Sequence, residues 1–264
     1  MSAFGDFFRF QNDQFLPFEE NPTAEVQLRV ADSWLIEDGK VRSLSEHLKR
    51  FETWVLAEDS SMSSQLPKFF EEVVKLLPRK GRWFPRLEYH GEVEAPNRLF
   101  LRLRQAPERV QTVSLWTYPE PDPRLNPTVK GPDLSLCQQL RRHANMNGAD
   151  EAVILNSDGY VAEGALSSLV WWKKDTLCSS NDDTNWLESI TRKEVFSIAE
   201  QMGLETRLEK VTPEELANQE IWALSSLNGI MPVRSWIGVS SSFPEPKHLE
   251  SFTRRLKLLA RLID

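Results

Sequence analysis

Two stretches in the first half of the chain repeat apolar residues at the three- and four-residue spacing of an amphipathic helix. Within residues 44–56, Leu48, Phe51 and Val55 fall on one face. Within residues 64–77 the apolar face is longer, and it consists of Leu66, Phe69, Phe70, Val73, Val74 and Leu77. The pattern therefore predicts two helices that each bury one side.

Segments with the pattern of β-strands surround these two helices. Apolar and polar residues alternate along much of residues 26–36, and the following Glu37-Asp38-Gly39-Lys40 is typical of a hairpin turn. Further strands are predicted at residues 83–89, 98–104 and 110–118. Residues 1–25 show no clear period and are predicted to be irregular.

A proline-rich segment separates the two halves of the sequence. Residues 118–132 contain five of the 16 prolines. Because proline fixes φ and has no N–H group, this segment is predicted to be neither helix nor sheet interior. We therefore predict a linker at residues 119–132, between a smaller N-terminal α+β domain at 1–118 and a larger C-terminal α/β domain at 133–264.

Helices and strands alternate in the second half. Asp133 is expected to cap a helix that ends near Met146, and residues 191–194 have capping-box spacing for a helix that stops at Gly203. Further elements are predicted as a hairpin at 151–162, strands at 166–173, 221–224 and 230–239, a helix start at 212–215 and a closing helix at 245–263. This mixture indicates the α/β class with α+β character.

Composition and charge exclude several classes of protein. The formal net charge is -7 without a long Lys/Arg run, which argues against nucleic acid as the main partner. No apolar run approaches the roughly 20 residues that span a bilayer, and the first residues lack the pattern of a signal peptide. The two cysteines, Cys137 and Cys178, exclude a disulfide scaffold and fit a reducing compartment. We expect a cytoplasmic globular protein.

Common catalytic motifs are absent from the sequence. It contains no GxGxxG, P-loop, HExxH or GxSxG pattern. The four histidines are isolated from one another, so no metal site is predicted; they are His47, His90, His143 and His248. If the chain is an enzyme, its chemistry is expected to come from a bound organic cofactor.

An ordered series of short motifs indicates which cofactor that is. Lys130 ends the proline-rich segment, and residues 148–155, 158–164, 190–192, 223–226 and 230–233 follow it as GADEAVIL, DGYVAEG, ITR, ALSS and IMPV. His47-Leu48-Lys49-Arg50-Phe51 is a weaker anchor upstream. The order and spacing resemble class IV aminotransferases, the fold-type IV pyridoxal phosphate enzymes, which include branched-chain and D-amino acid aminotransferases and aminodeoxychorismate lyase.

The resemblance implies a role for each matching residue and a two-domain fold-type IV structure. Lys130 would form the Schiff base with pyridoxal phosphate and move protons at the substrate carbon, and Glu163 would contact the pyridine nitrogen. The phosphate would be bound by Arg50, Ile190, Thr191 and Ser226. Without the resemblance, Lys130 would be interpreted as an exposed linker lysine and Thr191 as an ordinary helix-capping residue.

A substrate with a carboxylate requires at least one arginine to bind it. Arg86 falls near a strand position that holds the substrate carboxylate in branched-chain enzymes. Arg102 and Arg104 alternate on the next predicted strand and could do the same, as could Arg124 in the linker. Each of them could also be a simple surface charge.

The resemblance leaves the reaction open among several alternatives. The leading hypothesis is an aminotransferase acting on a small amino-acid-like substrate, and the first alternative is an aminodeoxychorismate lyase that releases pyruvate and 4-aminobenzoate. A non-catalytic relative that acts as a binding protein and a lysine Schiff-base enzyme without cofactor are further alternatives. Residues 131–135 differ from the Gly-Gly-Asn-Tyr of branched-chain enzymes, which leaves the substrate undetermined. The family is typically homodimeric.

Overall fold

The computed structural model describes residues 6–18, 27–91 and 97–264. The chain forms two compact units: Met1–Glu108 with Val129–Pro132 and Leu259–Asp264, and Arg109–Thr128 with Asp133–Leu258. Each unit contains both helices and strands, so the mixed α/β class is confirmed. The domain boundaries drawn from the sequence stay a prediction.

The first unit is built on an antiparallel sheet. Its elements are β1 (Asp6–Gln11), β2 (Gln14–Pro17), β3 (Leu28–Ser33), β4 (Ile36–Glu37), β5 (Lys40–Val41), α1 (Leu44–Glu58), α2 (Leu66–Leu76), β6 (Arg82–Trp83), β7 (Arg86–His90) and β8 (Leu99–Leu103). Among the described residues, the strand order is β2-β1-β8-β7-β3, so β3 is an edge strand. Both predicted helices are confirmed as α1 and α2, and Val26 of the first predicted strand lies outside the described residues.

The apolar faces of the two helices form one core with the sheet. Phe51 and Val55 of α1 and Phe69 of α2 are fully buried with Leu87 and Leu101 of the sheet. This core is what the three- and four-residue spacing of apolar side chains predicted, because such side chains project from one side of a helix.

The prediction that residues 1–25 are irregular was wrong over the hairpin formed by β1 and β2. Asn12 and Asp13 have φ angles of 51° and 60°, and two successive positive φ angles are typical of the type I′ turn that joins strands. Phe10 packs edge-on against Phe69, with 5.4 Å between ring centroids. The turn has no glycine, which is why its signal was weak. Residues 1–5 and 19–25 lie outside the described residues.

The second unit is built on a larger mixed sheet of eight described strands. Its elements are β9 (Val113–Thr117), α3 (Leu134–Met146), β10 (Glu151–Leu155), β11 (Val161–Gly164), β12 (Ser168–Lys173), β13 (Thr176–Ser180), α4 (Ile190–Gln201), β14 (Glu205–Glu209), β15 (Glu220–Ser225), β16 (Gly229–Ile237) and α5 (Leu249–Leu258). In the described part of the chain the order is β11-β10-β9-β16-β15-β12-β13-β14. The N–H of Val161 donates to the carbonyl of Val211 at 2.9 Å, which links the β11 edge to the segment after β14.

The predicted closing helix at 245–263 is too long at both ends. The helix is confined to α5, because Pro244 and Pro246 precede it and the residue before a proline is disfavoured in helical conformation. After α5 the chain forms β17 (Arg261–Leu262), which pairs with β5 in the first unit. The predicted helix start at 212–215 yields only a single 3₁₀ turn at Glu214–Leu216.

Neither of the two predicted side-chain caps forms a capping hydrogen bond. Asp133 precedes α3 without bonding its N–H groups, and its carboxylate instead accepts hydrogen bonds from the N–H groups of Leu125 and Asn126. The cap of α4 is Ser189, whose hydroxyl accepts from the N–H of Arg192 at 3.2 Å. Thr191 therefore lies inside the first turn of α4 rather than at its cap.

The helices of the described residues include none with the length and apolar character needed to cross a membrane.

Candidate functional site

Lys130 is attached to the edge of the first unit's sheet. Its carbonyl oxygen accepts a 2.7 Å hydrogen bond from the N–H of Ala31 in β3. The next residue, Gly131, has φ 151°, and a Cβ there would lie 2.8 Å from both the carbonyl oxygen of Arg29 and the Cα of Val30. Only glycine permits this close approach of two backbones. The half-buried Lys130 is thereby held at a defined position on the sheet.

The predicted phosphate-binding Arg50 is held by a carboxylate on the same strand. Asp32 is completely buried and accepts hydrogen bonds from Arg50 Nε at 2.7 Å, Arg50 Nη2 at 3.0 Å and His47 Nδ1 at 2.7 Å. His47 and Arg50 are three residues apart on α1, so their side chains share one face. Burial alone raises the pKa of Asp32, but the charges of Arg50 and His47 overcome it and hold this pKa well below its ordinary value.

Asp32 is a functional candidate that the sequence analysis missed. It follows Ala31 directly, so the lysine-binding N–H and the arginine-binding carboxylate are neighbours in the chain. A charged residue directly after the apolar pair Val30-Ala31 was the available signal, since buried charges require partners. The structure thus brings Lys130 and Arg50 to the same short strand.

The predicted substrate arginines Arg86 and Arg102 meet at Glu88. Arg86 Nε donates to Glu88 Oε1 at 2.7 Å, Arg102 Nε donates to the same oxygen at 3.0 Å, and His90 Nε2 lies 2.9 Å from Oε2. Glu88 is 2% exposed, and burial raises its pKa. The hydrogen bond from His90 and the two arginine charges overcome that effect, so the pKa lies well below the usual range. The sequence analysis missed this carboxylate.

Arg104 lies in the same cluster without an acidic partner among the described residues. Its Nε donates to the carbonyl of Phe84 at 3.2 Å, and its guanidinium lies 5.2 Å from the centre of the Phe84 ring. Burial, and then the charge of Arg86, lower the pKa of Arg104 to about 10. Arg104 therefore has no direct ion pair among the described residues, although the charge of Glu88 favours its charged form.

The register of the sheet relates this arginine cluster to Lys130. Ala31 of β3 is directly opposite Glu88 of β7, and Ala31 is also the residue that binds the Lys130 carbonyl. Because neighbouring strands lie about 4.8 Å apart, the backbones of Lys130 and Glu88 are about two strand spacings, or roughly 10 Å, apart. The first unit therefore places the backbone of Lys130 two strand positions from that of Glu88.

The second unit contains Glu163, the residue predicted to contact a pyridine nitrogen. Its Oε1 accepts hydrogen bonds from Arg124 Nη1 at 2.5 Å and from the N–H of Leu187 at 2.9 Å. Its Oε2 accepts no hydrogen bond within the described part of the chain. Burial raises the pKa of Glu163, and Arg124 opposes that shift. One oxygen of a buried carboxylate is thus left for an external donor.

The segment after Leu187 leads directly into α4, where the predicted phosphate-binding residues lie. Ile190 and Thr191 are buried, and their N–H groups donate to no acceptor among the described residues, as is usual for the first turn of a helix. These N–H groups and the helix dipole favour an anion. Since Ile190 lies three positions after Leu187, the contact to Glu163 lies at most about 10 Å from this helix end.

Ser226, the last predicted phosphate-binding residue, lies in the turn between β15 and β16. It is half-buried, and Ser225 before it accepts a hydrogen bond from the N–H of Asn228 at 3.1 Å, which shapes the turn. The hydroxyl of Ser226 is therefore presented on a short, ordered connection rather than within a strand.

The family model of class IV aminotransferases matches residues 29–236. D-alanine aminotransferase of Bacillus licheniformis is 30% identical over 146 residues, which are 54% of this chain and 51% of that protein. Aminodeoxychorismate lyase of Bacillus subtilis is 32% identical over 83 residues, which are 31% of this chain and 28% of that protein. The chain thus spans about half or less of the length of these curated relatives.

Solved structures resemble the chain over nearly all of its length. A hypothetical aminotransferase from Mycobacterium tuberculosis in PLP-bound form has a TM-score of 0.78 at 19% identity, with 96% of this chain and 98% of that chain covered. The branched-chain amino acid aminotransferase from Escherichia coli has a TM-score of 0.74 at 17% identity, with 96% and 92% covered. The predicted fold-type IV architecture is confirmed, and the extent of the family match shows that the chain belongs to the class IV aminotransferases.

Proposed function

We propose that this protein is a pyridoxal phosphate-dependent aminotransferase that acts on a small amino-acid-like substrate and binds its cofactor covalently through Lys130. The observation that carries the proposal lies in the second unit. There the unengaged Oε2 of Glu163 and the open N–H groups of Ile190 and Thr191 are joined by one short segment. A buried carboxylate suits a ring N–H, and a helix N-terminus suits a phosphate.

Each unit, taken by itself, carries residues that suit a part of this cofactor. Ile190 and Thr191 would bind the phosphate through their N–H groups, with the hydroxyl of Ser226 as a further donor. Arg50 would add a positive charge, and Asp32 holds its guanidinium in one orientation. Glu163 would hold the proton of the ring nitrogen. When bound, the cofactor supplies an electron sink for the bond that breaks at the substrate carbon.

Lys130 would carry the proton transfers. Its Nζ would take the proton from the substrate's α-carbon and deliver it to the aldehyde carbon of the cofactor, a role that requires the neutral amine. The bond from Ala31 to the Lys130 carbonyl and the tight packing of Gly131 fix the backbone from which this side chain extends. A fixed backbone limits the conformations that the amine must sample before it reaches the reacting carbon.

The arginine cluster would bind the carboxylate of the substrate. Arg86 and Arg102 are already paired with Glu88, whereas Arg104 has no carboxylate among the described residues. We therefore assign the direct contact to Arg104, with Arg86 and Arg102 adding positive potential.

Aminodeoxychorismate lyase activity is the second candidate. A cluster of three arginines around one glutamate suits a substrate with more than one carboxylate, and aminodeoxychorismate has two. The Bacillus subtilis relative of that name supports this alternative. In this reaction Lys130 would transfer the protons that accompany the release of pyruvate, and no amino group would be transferred.

The covalent bond to Lys130 can be tested directly. The protein is incubated with pyridoxal phosphate, reduced with borohydride and digested, and the modified peptide is located by mass spectrometry. We expect the label on Lys130 and its loss in Lys130→Ala, with Lys257→Ala, an exposed lysine on α5, as the control. A protein that takes up no cofactor, or is labelled elsewhere, would contradict the proposal and favour a binding protein or a cofactor-free lysine enzyme.

The reaction is then assigned with substrates. A keto acid formed from one member of a panel of L- and D-amino acids supports the aminotransferase and identifies its donor. Pyruvate released from aminodeoxychorismate, with no reaction of any amino acid, supports the lyase and overturns the leading proposal.

We further propose that the protein is a cytoplasmic homodimer, as is typical of its family. Cys137 and Cys178 are both free and buried, which suits a reducing compartment. Light scattering after size-exclusion chromatography measures the mass in solution, and a mass of one chain would contradict the dimer.

A further inference from the structure

Arg124 is bound by two carboxylates of the second unit at once. Its Nη1 donates to Glu163 Oε1, while its Nε and Nη2 donate to Asp122 Oδ1 at 3.0 Å and Oδ2 at 2.9 Å. Its Nη2 also lies 3.3 Å from the carbonyl oxygen of Asn185. The side chain is only 4% exposed. Such a bidentate, buried guanidinium has one orientation, and an arginine so engaged is not available to a substrate carboxylate.

The three side chains Asp122, Arg124 and Glu163, which we name the linker triad, carry a net charge of minus one when both acids are ionised. Arg124 and Glu163 are almost completely buried and Asp122 is 20% exposed, so most of this charge is removed from water, which is costly unless positive charge lies nearby. Among the described residues, no group donates a hydrogen bond to Oε2 of Glu163. A single cationic N–H at that oxygen would neutralise the triad.

We propose that Arg124 is a positioning residue that favours the ionised form of Glu163 against the effect of its burial and orients Glu163 toward the protonated ring nitrogen of the cofactor. The inference rests on the proposed function, because it assumes that the ring nitrogen is the donor that Glu163 receives. Arg124 touches neither cofactor nor substrate in this proposal and acts only through Glu163. Arg124 lies six residues before Lys130 in the sequence.

The charges around Glu163 predict the direction in which its pKa changes when each neighbour is replaced. Burial raises the pKa of Glu163, Arg124 lowers it, and the charge of Asp122 raises it. The nearby charge of Arg192 on α4 interacts with Glu163 as well. Removing the positive member of the triad and removing its outer negative member should therefore shift the titration of Glu163 in opposite directions.

The first experiment uses the full-length protein without cofactor. The protein is labelled with ¹³C at the glutamate side-chain carboxyl, and Glu163→Gln identifies the resonance of Glu163. We expect Arg124→Met to raise the apparent pKa of Glu163 and Asp122→Asn to lower it. Arg142→Met, an exposed arginine on α3, is the matched control and should leave it unchanged.

These titrations decide the inference without any cofactor chemistry. Shifts of the same sign in Arg124→Met and Asp122→Asn, or no shift in either, would overturn it. If Arg124→Met does not fold, Arg124→Gln takes its place, with the same expected rise in the pKa of Glu163, and the absence of that rise overturns the inference.

The second experiment follows the ring nitrogen in the protein loaded with ¹⁵N-labelled pyridoxal phosphate. We expect the ¹⁵N shift of a protonated ring in the native protein, a shift toward the neutral ring in Arg124→Met, and partial recovery in Arg124→Lys. The first half-reaction should slow about 10- to 100-fold in Arg124→Met, the size expected for loss of one charged hydrogen bond, with KM little changed.

The failure of the inference and the failure of the proposed function can be told apart. A native protein that binds no pyridoxal phosphate contradicts the proposed function, whatever the titration of Glu163 shows. A native protein that binds the cofactor at Lys130, with a ring signal that Arg124→Met leaves unchanged, overturns only the role of Arg124.

Discussion

The carbonyl oxygen of Lys130 and the N–H of Ala31 are joined by a 2.7 Å hydrogen bond, which adds the lysine to the edge of β3. This bond requires that the following residue have no side chain, because a Cβ at Gly131 would meet the backbone of Arg29 and Val30 at 2.8 Å. Glycine therefore determines where the lysine stands relative to the sheet.

Gly131→Ala should separate Lys130 from β3. We expect a loss of about 1–3 kcal/mol in the free energy of unfolding, the usual cost of forcing an atom into a packed site, and slower covalent reaction of Lys130 with pyridoxal phosphate. Gly159→Ala is a matched control, since Gly159 also has a positive φ, 84°, but no atom lies within 4 Å of a Cβ there. Equal effects of the two substitutions in urea unfolding and labelling kinetics would contradict the steric argument.

Asp32→Asn should destabilise the first unit. Removing one partner of a buried ion pair typically costs about 3–5 kcal/mol, because Arg50 would keep an uncompensated buried charge. The pKa of Asp32 is depressed in the folded protein, so its contribution is present above about pH 4 and is lost as the pH falls further.

The prediction for Asp32 is measured by urea unfolding of the native protein and Asp32→Asn between pH 3 and pH 7. The difference between them should be constant from neutral pH down to about pH 4 and then shrink. Asp158→Asn in the exposed turn before β11 is the control and should change stability little. A difference that grows on acidification would contradict the assignment.

The raised pKa of Glu151 should make the free energy of unfolding decrease as the pH rises. This buried carboxyl group accepts hydrogen bonds from the N–H of Ala152 and the hydroxyl of Ser167, but burial dominates and raises its pKa to about 7. The folded protein therefore holds a proton that the unfolded chain releases near pH 4.5. Its stability relative to Glu151→Gln should decrease between about pH 4.5 and pH 7 by up to about 3 kcal/mol.

Equilibrium unfolding across that pH range measures the effect of Glu151. Glu200→Gln, an exposed glutamate on α4, is the control and should follow the native protein at every pH. If the native protein and Glu151→Gln keep a constant difference, Glu151 is already ionised when folded and the prediction is wrong.

Arg104→Met should raise the dissociation constant of the substrate while leaving the stability of the protein nearly unchanged. Arg104 forms no ion pair within the described residues, whereas Arg102 shares Glu88 with Arg86. We expect the dissociation constant of the carboxylate substrate to rise about 10- to 100-fold in Arg104→Met, with little change in the unfolding midpoint. Arg102→Met should instead lower that midpoint, because it removes a partner of a buried carboxylate. Similar stability losses in both variants would contradict the distinction.

The amino-acid sequence by itself determined the local elements and the order of the motifs. The apolar spacing that predicted α1 and α2 depends only on neighbours three or four residues away, as does the interpretation of residues 118–132 from proline. Where a local signal was weak, as at Asn12 and Asp13, or where Pro246 competed with it, the predicted elements were wrong.

Only the tertiary structure decided which charges are paired. Asp32 meets Arg50 18 residues away, Arg124 meets Glu163 39 residues away, and Glu88 meets Arg102 across two paired strands. No local pattern specifies such partners, since they depend on strand register and on how each loop returns to its sheet. The candidate site residues could therefore be predicted from the sequence. Their pairing with the carboxylates Asp32 and Glu88 could be identified only from the tertiary structure.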